Sequence, residues 1–147
     1  MSDRPPGAGR PMSDPFEALM TEVMAQADRF GHRQHIHLTW LAVRRHGAGA
    51  AITLVSDGIQ RTARYAGAPQ KYHATISRAW VELVGHHVAR GEDDFEVFAD
   101  RCPALLDKRL LARHYRSSTL ASPAARSGWV EPDLAPLPGG AFPGAGS

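Results

Sequence analysis

One cysteine, Cys102, is all the chain has in 147 residues, so no intrachain disulfide can form. A lone thiol fits a reducing compartment, and the expectation is a cytoplasmic protein. Long apolar runs are missing too. None approaches the length needed to cross a bilayer, and the polar, Pro/Gly-rich start from Met1 to Met12 lacks the apolar stretch of a secretory signal. Charge of one sign is scarce, with a net of +2. The densest basic stretches, Arg44-Arg45 and Arg109 to Arg116, read as solvated helix faces. Nucleic-acid binders gather Lys and Arg on one face, often interleaved with aromatics, so neither a nucleic-acid nor a membrane partner is expected. No run of Val, Ile and Thr alternates with period two, which excludes a convincing sheet. Nucleophile elbows, phosphate-binding glycine loops, dinucleotide fingerprints and zinc-finger cysteines are all missing.

What is present is helical periodicity. The 43% apolar content suits one soluble domain with a real core. The expected fold is all-α, a compact single-domain bundle of five to six helices over 13–135, flanked by disordered Gly/Pro-rich tails at 1–12 and 136–147. Asp14-Pro15 followed by Glu17 marks a helix start, and Gly31 is read as its stop. Further helices are predicted at 32–46, 50–66, 70–90, 93–101 and 104–115, most ending at or near a glycine. Gly58 lies inside the third, where it weakens the helix unless a neighbour packs close. Ser122-Pro123 reads as a cap and a short helix reaching Arg126. Trp129 and Val130 are expected to pin the tail.

The chemistry-bearing residues are histidines. There are eight, and they do not scatter evenly. His32, His35 and His37 stand in Phe-Gly-His-Arg-Gln-His-Ile-His, and His73 in Lys-Tyr-His-Ala-Thr. His32 and His35 are spaced i, i+3 and share a helix face within chelating reach. His37 points away, and His73 opens the apolar side of another helix. Three imidazoles with an open position can hold a catalytic metal, and Zn, Fe and Cu all accept this donor set. His32, His35 and His73 are therefore the expected ligands of a divalent transition metal. Thr39 and Ser77, each i+4 from a candidate ligand, are placed to orient it. Glu82 and Tyr115 are the candidate catalytic residues. Arg126, a planar fork on a short capped helix, and Lys71 are candidate anchors for a small acidic substrate. For Arg126 the structural alternative is a salt bridge to Asp133 or Asp107. His46, His86, His87 and His114 are expected to be structural, and Cys102 inert.

Phe30-x-His32-x-x-His35, Trp40, Lys71-Tyr72-His73-x-Thr75, Tyr115, Leu120-x-Ser122, Ala125-Arg126 and Pro132-Asp133 together resemble a group of small bacterial all-helical proteins to which no activity is attached. The resemblance spans Phe30 to Asp133. It implies that His32, His35, His73 and Arg126 belong to one pattern, and it implies no reaction. The expectation is a small metalloenzyme, a hydrolase, lyase or oxygenase, acting on a small-molecule substrate, with a homodimer as a further expectation. Two alternatives stand beside it: a metal-free histidine acid–base enzyme, and a non-enzymatic helical binding or accessory module.

Overall fold

A computed structural model describes residues 14–138. Among these residues the secondary structure is entirely helical, with seven α-helices, three 3-10 segments and no strand. The first tail and most of the second lie outside the described residues. Leu137, placed in that second tail by composition, is buried in the core at 5% exposure, so the domain extends past 135.

Helix α1 (Pro15–Met24) begins as its sequence dictates. The Asp14 carboxylate accepts from the amides of Phe16 and Glu17 at 3.0 and 3.3 Å, and Pro15 occupies the first turn. Phe16, Leu19 and Val23 form its buried stripe. The helix stops at Met24, short of the expected Gly31. Gly31 instead opens α2 (His32–His46), its amide donating to Gln34 Oε1 at 3.0 Å. Its φ of −107° is extended backbone, not the left-handed turn that makes glycine a stop.

Helix α2 is the centre of the molecule. It buries Ile36 and every residue from Leu38 to Val43, because α1, α3 (Ala48–Tyr65) and α4 (Ala74–His87) surround it. Trp40, expected at an edge, is 2% exposed. Gly47, at φ +86°, makes the sharp turn between α2 and α3. Helix α3 crosses α1 at Gly58, where a Cβ would lie 2.1 Å from the Phe16 ring. The glycine is the gap that the ring fills.

Two predicted helices change form. The fourth starts at Ala74 rather than Gln70, because Pro69–Lys71 is a 3-10 turn and His73 is extended and caps the helix. The predicted helix over 104–115 is two 3-10 segments, Pro103–Leu106 and Lys108–Arg113. Asp107 separates them; it is extended, and its carboxylate accepts from the Arg109 amide at 2.9 Å. Such short polar side chains compete with the helix for backbone partners.

Helix α5 (Phe95–Arg101), capped by Asp94, packs its aromatics on α2. His37 stacks on Phe95 at 4.3 Å, and Arg44 lies 4.8 Å over Trp40. Two short helices follow, α6 (Ser117–Leu120) and α7 (Pro123–Ser127), the second capped by Ser122 as its sequence indicates.

The α1–α3 crossing is directly testable. Gly58→Ala should destabilise by about 1–3 kcal/mol, the range for overpacking a core. Gly49→Ala, in the same helix with open space around it, should be neutral or stabilising by up to about 1 kcal/mol. Urea midpoints of the two variants check this; equal midpoints would refute the close crossing.

Candidate functional site

The first turn of α2 presents His32 and His35 on one face, with ring centroids 6.4 Å apart. His32 Nε2 lies 2.9 Å from the Leu105 carbonyl oxygen. A carbonyl can only accept, so Nε2 carries the proton and Nδ1 is left as an acceptor in the neutral ring. The Trp80 ring packs against the same imidazole at 4.7 Å. Burial lowers the His32 pKa, against a raising effect of the Leu105 carbonyl; the Lys108 ammonium lowers it further and Asp107 partly offsets it. His35 is pushed down to about 4, by burial first and by its neighbour His32 second. Both rings are thus held neutral near pH 7.

A cavity of about 410 Å³ opens beside His32. Its walls combine Ile76 from α4 with Leu111, Ala112, Tyr115 and Leu120, and its polar groups come from His32, Lys108, Arg109 and Ser117. Arg109 is held by the Asp107 carboxylate at 3.0 Å. Lys108 is exposed and makes no ion pair among the described residues. Sequence reasoning missed Lys108 and Ser117, because they come to the same cavity as His32 only through the irregular path of the chain after α5.

His73 is placed differently from His32. As the cap of α4 it accepts from the Ile76 amide through Nδ1 at 3.1 Å. Its Nε2 donates to the Leu120 carbonyl at 2.6 Å. Both ring nitrogens are engaged, and the residues they tie together, Ile76 and Leu120, both line the cavity. The histidine supports the wall. Among the described residues, no group of three or more His, Cys, Asp and Glu side chains is placed to hold a metal ion.

Most of the remaining candidates also have protein partners. Glu82, 5% exposed, accepts from Arg78 Nε at 2.7 Å, and Arg78 in turn lies 4.4 Å over Trp129. Tyr115 donates its hydroxyl to the Val130 carbonyl at 2.7 Å. Burial, reinforced by the Glu131 and Glu82 carboxylates, pushes its phenol far up, so it keeps its proton. Arg126 donates to the Gln70 carbonyl rather than to Asp133 or Asp107. Asp133 instead accepts from the Arg116 amide and the Thr119 hydroxyl. Lys71 ends the exposed Pro69–Lys71 turn. Thr39 and Ser77 bond elsewhere, to the His35 carbonyl and to Ser56.

Thr75, the last residue of the Lys-Tyr-His-x-Thr motif, is fully buried. Its hydroxyl donates to Gly128 O at 2.7 Å and accepts from Val130 N at 3.1 Å. It fixes the segment after α7 exactly where Tyr115 also holds it.

Compared with known proteins, the chain matches no family model, no curated protein and no solved structure. The likeness carried by the motifs stands on those motifs alone.

The histidine pair predicts an acid-sensitive fold. The folded-state pKa of His35 lies below its ordinary value, so unfolded chains take up a proton first as pH falls. Stability present above pH 6.5 is then lost progressively down to about 4, a total of about 3 kcal/mol from this residue. Urea midpoints across that range should fall more steeply for the native chain than for His35→Leu. Parallel slopes would refute the assignment.

Proposed function

We propose that this chain is a small-molecule-binding helical domain whose site is the cavity beside His32. What carries this reading is the meeting, in one space of about 410 Å³, of a neutral imidazole, a lysine with no ion pair among the described residues, and aliphatic walls. Cavities of this size, mostly apolar with a few convergent polar groups, are the usual form of a small-ligand site. In this reading Glu82, Tyr115, Arg126 and His73 hold the scaffold, and Lys71 stands outside the site.

A ligand screen read by thermal shift tests it, because a ligand bound only by the folded state raises the midpoint. Ligands that stabilise the native chain should lose their effect in Ala112→Trp, which fills the cavity from an exposed position. Equal protection of both proteins would place the site elsewhere.

A metal-dependent enzyme is the second reading, and one observation favours it. The His32 Nε2 proton on a backbone carbonyl is the arrangement that orients a ligating imidazole, and His35 follows one turn later. Zn, Fe or Cu would then be held by His32 and His35, with His73 outside the set and Lys108 available to a small acidic substrate. Equilibrium dialysis against Zn²⁺ separates the two readings. Stoichiometric uptake lost in both His32→Gln and His35→Gln would favour the metal; uptake unchanged in either variant would remove it.

A further inference from the structure

We propose that residues 128–137 form a strap that latches the cavity beside His32, so that strap and cavity wall open and close as one unit. As a control on ligand access the latch rests on the cavity being the ligand site; the coupling of strap to wall does not. The strap starts where α7 ends and carries no helix or strand. Among the described residues no backbone hydrogen bond joins one of its residues to another. What orders it comes from the body. Thr75 and Tyr115 hold Gly128 and Val130. The Leu134 amide donates to the His114 carbonyl at 2.9 Å, and His114 Nδ1 donates to the Ala135 carbonyl at 2.9 Å. Leu137 is then buried in the core. Off the body only the side-chain bond from Trp129 to Glu131 remains, so the attachments of the strap stand or fall together.

The groups that hold the strap belong to the cavity wall or adjoin it. Tyr115, whose hydroxyl meets the Val130 carbonyl, lines the space. Ser117 and Leu120 line it from α6, a helix of four residues that is too short to stand by itself. Two fasteners keep α6 in place. From the strap, the Asp133 carboxylate accepts from the Arg116 amide at 3.0 Å and from the Thr119 hydroxyl at 2.6 Å. From α4, the His73 cap donates to the Leu120 carbonyl at the other end. Undocking the strap removes the first fastener and the Tyr115 anchor together.

Wall and strap also trace to one turn of sequence. His73 fastens the wall, and Thr75, two residues later, fastens the strap. The Lys-Tyr-His-x-Thr motif is therefore their common anchorage. Among the described residues α1, α2 and α3 make no hydrogen bond to the strap, so the latch is confined to α4 and the chain after α5. Coupling of this kind is reciprocal. Whatever firms the wall favours the docked strap, and whatever frees the strap loosens the wall.

Amide hydrogen exchange of the full chain, resolved residue by residue by NMR, tests the latch. The variant is Asp133→Ala, a change at an exposed position. It should speed exchange at Val130 and Leu134 in the strap, and at His114, Tyr115 and Ala121 along the wall, by a common factor of about tenfold, the size of a lost hydrogen bond to a charged group. None of these amides donates to Asp133, so a common factor reports on the unit and not on the deleted contact. Amides of α2 and α3 should keep their native rates. Faster exchange at Val130 and Leu134 with native rates at His114, Tyr115 and Ala121 would overturn the latch. So would no change at any of them, or an acceleration shared by α2 and α3, which would make the strap part of the global core. Exchange is read without ligand, so a failed latch leaves the cavity reading standing; that reading falls only by the ligand screen with Ala112→Trp.

Discussion

Partly buried carbonyls that are met by side chains rather than by a helix are the constraint on which the rest of this molecule depends. Beyond α5 the chain runs through 3-10 turns, two very short helices and an extended segment, and such backbone satisfies only part of its own polar groups. Side chains do the rest. His32 serves Leu105, His73 serves Leu120, Thr75 serves Gly128, Tyr115 serves Val130 and His114 serves Ala135. Each donor meets an acceptor that would otherwise be stranded, and leaving one unmet costs about 1–3 kcal/mol. Imidazole suits this work because one nitrogen can donate to a carbonyl while the other accepts, as His73 does with Ile76.

A different device holds α5. Arg33 lies over Phe95, Arg44 over Trp40 and Arg101 over Phe98. The same arginines reach Glu96, Asp93 and Glu92. The pairs with the exposed Glu96 and Asp93 contribute little by themselves. The guanidinium planes stacked on aromatic rings, and the burial of Phe95 and Phe98 against α2, do more to fix the helix.

The readable parts of the fold were those whose signals are local. The Asp14 cap, the left-handed Gly47 and Gly67, the Ser122 cap and the apolar stripes of α2 to α4 are all set by residues within a few positions of one another. Gly58 was legible only as a weak point in its helix unless a neighbour packed close, and the Phe16 ring is that neighbour. The misread stretches have physical causes. Histidine is an uncommon cap, so the start of α4 was placed too early. Leucines at 105, 106, 110 and 111 mimic a helical stripe, while Asp107 breaks the path between them. The candidate site was legible as a set of unusual residues and not as an arrangement. His73 and Leu120 are 47 positions apart, and Arg126 and Gln70 are 56. A partner that is a distant backbone carbonyl leaves no trace in the side-chain pattern. Of the three expected metal ligands only His32 lines the cavity, where the motif residues Tyr115 and Leu120 join it.

The staples also carry a cost in chain entropy. Short loops let α2, α3 and α4 find one another through nearby contacts. The segment around Thr75 and the segment around Gly128 are separated by more than fifty positions, and the turns between them have little helical length of their own. Their loop-closure entropy is recovered only once a carbonyl has a donor waiting for it. The C-terminal third therefore has the larger closure cost to recover when it docks on the helical platform.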